Sequence, residues 1–138
     1  MNFQGWITKY EQKTREKFEP KNGFRLFFLP ERGFCEIRAD ADKQMILVWQ
    51  LCGDGHFWKD YAELLAQMMG YHNMGTVCIR GNIEAYIRLW GFSVEQKEVL
   101  PDGNFRFHCV NKDGKKGLVS PAWTENGKVS YFITWEVD

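Results

Sequence analysis

The sequence predicts one α/β (α+β) domain with a central mixed, mostly antiparallel twisted sheet flanked by helices. The chain has 138 residues, of which 44% are hydrophobic and 26% charged, as expected of a folded domain with its own core. A helix and antiparallel strands are followed by strand–helix–strand–helix–strand and then by more antiparallel strands, an order typical of this class. No repeat, low-complexity tract or linker interrupts the pattern, so residues 1–138 are expected to form a single domain.

The N-terminal part is expected to form one helix and three strands. An amphipathic pattern over residues 5–19 predicts a helix that ends before Pro20. Alternating apolar residues predict strands at 24–30 ("FRLFFLP") and 34–40 ("FCEIRAD"). A nearly continuous apolar run at 44–51 ("QMILVWQL") is typical of a strand in the middle of a sheet.

The middle of the chain alternates between helix and strand. Apolar side chains recur on one face over residues 56–69, which predicts a half-buried helix, and Gly70 is placed to end it. A short strand is predicted at 76–80 ("TVCIR"). A short helix is predicted at 82–90, with Asn82 as its N-cap.

The C-terminal part is expected to contain hairpins. Strands are predicted at 92–100 and 105–111, joined by the turn "PDGN". The lysine-rich segment 112–117 is interpreted as a charged turn, with contact to an acidic partner or nucleic acid as the other interpretation. A last strand is predicted at 128–137, and it offers a possible edge for a homodimer.

Composition argues against several classes of protein. The formal net charge of +0 gives no general attraction to nucleic acid or to an anionic membrane. No apolar run reaches the roughly 20 residues of a membrane span, and the N-terminus lacks the apolar region of a signal peptide, so a cytoplasmic protein is expected. The widely spaced cysteines, with no C-x-x-C pair, are expected to be reduced and mostly buried: Cys35, Cys52, Cys78 and Cys109.

A glycine-bearing turn joins the central strand to the following helix. Residues 50–55 ("QLCGDG") fit the pattern Q/R-x-x-G-x-G/A, and the start of a helix offers free N–H groups and a partial positive charge to a phosphate. A second strand–helix–strand unit follows at 77–98 ("VCIRGNIEAYIRLWGFSVEQKE") and contains Gly91-Phe92.

This pairing of motifs, over roughly residues 33–97, resembles the GNAT superfamily of acetyl-coenzyme A-dependent N-acyltransferases in a divergent and short form. The resemblance implies strands that splay at the coenzyme site and direct transfer of an acyl group from acetyl-coenzyme A, or a related acyl-coenzyme A, to an amine that the sequence does not identify. It implies that the pantetheine arm pairs with the central strand and that the turn binds the pyrophosphate. The coenzyme contacts so implied are Leu47, Val48, Trp49, Gln50, Cys52, Gly53, Asp54, Gly55, His56 and Asn82.

The turn departs from the family pattern in its charges. Leu51 and Cys52 are neutral where the family commonly has basic residues, and Asp54 stands where a small or apolar residue is usual. A carboxylate close to a pyrophosphate would repel it. Asp54 is therefore interpreted either as the N-cap of the following helix or as a group that faces solvent.

Candidate catalytic groups are also displaced from the family pattern. Counted back from Gly91-Phe92, the proton-donating tyrosine of the family would fall at Ile87, which has no proton to give. Its neighbour Tyr86 is therefore the candidate acid. Counting forward from Asn82 instead brings Trp90 near the position of the family tyrosine. Glu36 is the candidate base, with the acids at 40–42 as alternatives.

Other classes of function remain open at the level of sequence. No metal site is expected, because the histidines lack partners at ligand spacing. A GNAT-fold protein without catalysis, acting as a binding or structural module, is one alternative. A phage-type GNAT-like enzyme that modifies nucleic-acid bases is the other, and the neutral net charge argues mildly against it.

Overall fold

The computed structural model describes residues 1–78 and 82–137. The helices are α1 (Phe3–Thr14), α2 (Gly55–Met69) and α3 (Ile83–Leu89). The strands are β1 (Arg25–Leu29), β2 (Gly33–Asp40), β3 (Met45–Gly53), β4 (Asn73–Cys78), β5 (Phe92–Val99), β6 (Phe105–Asn111), β7 (Lys116–Glu125) and β8 (Lys128–Glu136).

These eight strands form one sheet in the order β1-β2-β3-β4-β8-β7-β6-β5. The prediction of an edge at the last strand is wrong, because β8 pairs with β4 on one side and with β7 on the other. Every neighbouring pair is antiparallel except β3 and β4, which run parallel because α2 connects them. The prediction of a mixed, mostly antiparallel sheet with helices is therefore confirmed.

Helices cover both faces of the sheet. Phe34 and Cys35 are consecutive residues of β2 and are both fully buried, so the strand is covered on its two sides. Phe34 packs with Trp6 and Tyr10 of α1, whereas Cys35 belongs to the larger core that includes Trp58 of α2.

Helix α1 begins earlier and ends earlier than the sequence predicts. Asn2 caps it, since its side-chain oxygen accepts a hydrogen bond from Gly5 N at 2.8 Å. Arg15 adopts the left-handed conformation, with φ 59°, and its N–H bonds to Glu11 O, which ends the helix before the predicted residue 19.

Strand β7 was not predicted. Its first residues lie in the lysine-rich segment interpreted as a turn, and Pro121 argues against a paired strand because it has no N–H to donate. The register between β7 and β8 shifts between Pro121 and Trp123, so a bulge accommodates the proline within the sheet.

Strand β4 begins at Asn73, before the predicted start, because residues 73–76 pair with β3. The predicted strand positions 79 and 80 lie outside the described residues. Asn82 caps α3 as predicted, accepting hydrogen bonds from Glu84 N and Ala85 N. No helix in the described part of the chain is long and apolar enough to cross a membrane.

Three of the cysteines are free, buried thiols, as predicted: Cys35, Cys52 and Cys109. The side chain of Cys78 lies outside the described residues. Burial, and second the neighbouring Glu36, raise the pKa of Cys35 to about 12. Burial, and second Glu95, raise the pKa of Cys109 to about 11, so both thiols stay protonated and unreactive near neutral pH.

Candidate functional site

Asp54 is the N-cap of α2. Its Oδ1 accepts a hydrogen bond from Phe57 N at 3.0 Å, and its Oδ2 accepts one from the guanidinium of Arg32. The bond from Phe57 N, and second the bond from Arg32, hold the pKa of Asp54 below its usual range. Of the two interpretations of Asp54, the cap is therefore the correct one, and Arg32 balances its negative charge.

The close approach of the chain at Arg32 and Gly33 requires a glycine at position 53. Its φ is +109°, and a Cβ at this position would lie 2.2 Å from the carbonyl oxygen of Arg32. Gly33 makes the reciprocal approach, with a Cβ falling 2.0 Å from Cys52 O. Gly55 is different, because the nearest atom to a Cβ there is Leu51 Cδ2 at 4.0 Å, an ordinary van der Waals distance, so a side chain would fit without a clash.

The parallel strands β3 and β4 pair with each other over only part of their length. They pair from Met45 to Val48 on β3 and from Asn73 to Thr76 on β4, and both strands then continue without pairing to each other. A bulge accompanies the separation on the other side of β3. Cys35 lies opposite Leu51 and Ile37 opposite Val48, so that Glu36 alone faces two residues, Trp49 and Gln50.

A cavity of about 600 Å³ opens where the two strands separate. Its walls come from the end of β3, the start of α2, the end of β4, α3, and α1 with the segment after it. Eight predicted site residues line it: Val48, Trp49, Gln50, Cys52, Gly53, Gly55, His56 and Tyr86. Four predicted site residues are not among those that line it: Glu36, Leu47, Asp54 and Asn82.

Glu36 lies beside the cavity, in a buried hydrogen-bond network. Its side chain is 1% exposed, and its two oxygens accept hydrogen bonds from Gln50 Nε2 and from Lys21 N, the latter at 2.8 Å. Gln50 also donates to Glu19 O at 2.9 Å and accepts from Tyr10 Oη at 2.8 Å. The network positions Gln50 and Tyr10, both of which line the cavity.

Helix α1 and the segment that follows it contribute cavity residues that the sequence did not point to. Lys13 and Lys17 line the cavity, and neither forms a salt bridge within residues 1–78 and 82–137. Lys59, which also lines it, is paired with Glu63 at 3.0 Å. Lys13 lies in the last turn of α1, whereas Lys17 lies beyond the end of the helix at Thr14, so helical spacing does not relate the two side chains. The packing of α1 on the sheet brings Lys13 to the cavity, and the chain after the helix brings Lys17.

Helix α3 supplies an aromatic wall. Tyr86 is half-buried, and its ring meets that of Trp90 edge-on at 6.1 Å between centroids. Trp90 is 6% exposed and also lines the cavity. Its indole Nε1 is buried and, among the described residues, finds no hydrogen-bond acceptor.

Two kinds of chemistry find no support in the described part of the site. No cluster of three or more metal-ligating side chains occurs in the described residues. Burial raises the pKa of Cys52, while Lys13 and Lys9 act in the opposite direction, and the net rise argues against a thiolate nucleophile. Comparisons with protein-family models, curated proteins and solved structures gave no match for this chain.

Proposed function

We propose that this chain binds an acyl-coenzyme A in the cavity between β3 and β4 and transfers the acyl group to an amine. The observation that carries the proposal is the separation of the two parallel strands after Val48 and Thr76. Beyond that point the edge of β3 that faces β4 has no strand partner among the described residues. An extended arm with amide groups pairs with such an edge as an added strand. The volume of about 600 Å³ suits a ligand of this kind.

The phosphate end of the ligand is assigned to the turn and to α1. The first N–H groups of α2, at Gly55 and His56, lie at the positive end of a 15-residue helix. The negative charge of Asp54 is paired with Arg32, which reduces its repulsion of a bound anion. Lys13 and Lys17 provide the positive charge that the turn itself lacks.

When bound, the coenzyme supplies an acyl group activated as a thioester. Tyr86 presents its side chain at the cavity wall and is the proton donor of the proposal. Glu36 does not reach the cavity, so we assign it the task of positioning Gln50 and Tyr10 rather than that of a base.

A calorimetric titration with acetyl-coenzyme A tests the proposal, supported by the thermal shift that the ligand causes. The wild type is expected to bind in the micromolar range. The double variant Lys13→Gln/Lys17→Gln should bind about 5- to 30-fold more weakly, because each charge contact near a surface is worth roughly 0.5–1 kcal/mol. Lys43→Gln is the matched control, since Lys43 is exposed in the turn before β3, at the end remote from the cavity. Absence of heat and of a thermal shift at millimolar coenzyme would refute the proposal.

A binding module without catalysis is the second candidate. The observation that favours it is the burial of Glu36, the predicted base, which is 1% exposed and is not among the residues that line the cavity. Release of free thiol from acetyl-coenzyme A in the presence of amines separates the two. The enzyme should release thiol, with Tyr86→Phe much slower than the wild type, whereas a binding module should bind and release none.

A further inference from the structure

Trp49 lies at the centre of an aromatic cluster beside the cavity. Its ring stacks on that of Trp123, with 6.2 Å between centroids and 17° between planes. The ring of Phe24 lies 5.9 Å away and is tilted by 48°. The ammonium nitrogen of Lys21 sits 4.4 Å from the centroid of the Trp49 ring. We call Phe24, Trp49 and Trp123 the aromatic seat.

The aromatic seat spans the gap between the two halves of the sheet. Trp49 is the first residue of β3 beyond the stretch that pairs with β4, and it lines the cavity. Trp123 belongs to β7, which lies on the far side of β4 and β8. Trp123 is 39% exposed, so the aromatic seat is open to a ligand that approaches from solvent.

Lys21 occupies the aromatic seat without being fixed there by its charge. Its backbone N–H donates to Glu36 at 2.8 Å, which anchors the main chain. Its side chain is exposed and forms no salt bridge within the described residues. Swinging this side chain into water therefore breaks the contact with Trp49 and leaves the main-chain anchor in place.

We propose that the aromatic seat binds the primary alkylammonium group of the acyl acceptor, and that Lys21 takes the place of this group in the free protein. The inference rests on the acyltransferase function proposed above and names its acceptor as an amine with a lysine-like chain. An ammonium 4.4 Å from a tryptophan centroid is within the distance of a cation–π interaction. An aliphatic primary amine is protonated at neutral pH, so an acceptor of this class arrives as a cation. To react, it first releases one proton to solvent, and its nitrogen then bonds to the thioester carbonyl carbon as the C–S bond breaks. Tyr86 protonates the leaving thiolate and regains a proton, through solvent, from the nitrogen that becomes the amide.

The contacts of the Trp49 ring favour a cationic ligand over a flat aromatic ligand. Trp123 already stacks on Trp49, and Lys21 covers it with a charged group. A nucleobase could stack on Trp49 only by displacing Trp123 or Lys21. An alkylammonium group would displace only Lys21, and it would make the same cation–π contact. The aromatic seat therefore favours an alkylammonium acceptor over a base in nucleic acid.

Calorimetry with N-α-acetyl-lysine amide as the probe tests the aromatic seat. N-α-acetyl-norleucine amide serves as the uncharged analogue and should bind much more weakly. Lys21→Ala empties the aromatic seat and should raise the affinity for the lysine probe by roughly fivefold, the size of one exposed cation–π contact. Adding Trp123→Leu to that variant should lower it again by about the same factor. Lys9→Ala is the control, because Lys9 makes a similar contact, 5.1 Å from the Trp6 ring, and is not among the residues that line the cavity.

The outcomes separate this inference from the proposed function. Acetyl-coenzyme A binding to the Lys21→Ala variant without binding of the lysine probe overturns the aromatic seat and leaves the coenzyme site standing. Equal binding of the norleucine analogue, or preferential binding of adenosine, also overturns it. If the lysine probe binds while acetyl-coenzyme A does not, the cation site stands and its role as an acceptor site is overturned together with the proposed function.

Discussion

Replacing Gly53 by alanine tests whether this glycine is required by the strands or by a ligand. Gly53 has φ +109°, a conformation that costs roughly 1–3 kcal/mol for a residue with a side chain. The added Cβ would also lie 2.2 Å from Arg32 O, so one of the two strands must move.

That movement has a further cost, because Arg32 O is a shared acceptor. It accepts hydrogen bonds from Asp54 N and from Trp58 Nε1, each at 2.9 Å. Loss of both adds about 1–3 kcal/mol at typical net values. Gly53→Ala is therefore expected to lower the free energy of unfolding by roughly 2–6 kcal/mol, which at this chain length lowers the melting temperature by about 3–5 °C per kcal/mol.

Urea unfolding followed by tryptophan fluorescence measures this change. Gly55→Ala is the matched control, two residues away at the first turn of α2, and should change stability by no more than about 1 kcal/mol because the nearest atom to its Cβ, Leu51 Cδ2, lies at an ordinary van der Waals distance of 4.0 Å. The same control should weaken acetyl-coenzyme A binding if the ligand approaches this backbone. A Gly53→Ala protein within about 0.5 kcal/mol of the wild type would refute the reasoning.

Two further predictions follow from the altered pKa values. The folded pKa of Asp54 is depressed, so its contribution to stability is present above the unfolded pKa and is lost as the pH falls through the folded pKa. Asp54→Asn keeps the cap, and its urea midpoint should fall less than that of the wild type between about pH 6 and pH 3; equal slopes would contradict this. Iodoacetamide at about pH 8 should leave Cys35 and Cys109 unmodified in the native protein and modify both in urea, as peptide mass spectrometry would show, whereas labelling of the native thiols would contradict their burial.

Local signals predicted the elements that carry strong periodicity or a cap. The apolar stripe of α2, its Asp54 cap and its Gly70 end are all readable from neighbouring residues, and all three are present. Strand β7 carries the opposite local signals, a lysine-rich start and Pro121. It is a strand because β6 and β8 flank it and a bulge absorbs the proline, and neither fact is visible within the segment itself.

Some residues of the candidate site could likewise be predicted from the local sequence, and others could not. The turn at Gly53 and Gly55 was recognisable from its spacing. The family spacing pointed to Ile87, which is buried, and Tyr86 beside it lines the cavity. Lys13 belongs to the site only because α1 packs across the sheet on Phe34 and Cys52, a contact between segments some 20 to 40 residues apart. The sequence could not assign Glu36 to the interior either, because its burial depends on the bulge that places Gln50 against it.

The distribution of charge explains how the turn differs from a simple phosphate-binding loop. The carboxylate of Asp54 accepts a hydrogen bond from Phe57 N and pairs with the guanidinium of Arg32. The positive charge of Arg32 is therefore balanced within the fold and does not contribute to binding an anionic ligand. The cavity lysines that form no salt bridge within the described residues come instead from α1, which carries Lys13, and from the segment after it, which carries Lys17. Since α1 is held to the sheet through Trp6 and Tyr10, any change that loosens this packing removes positive charge from the cavity as well as apolar burial from the core. Ligand affinity and the docking of α1 are thus expected to fall together.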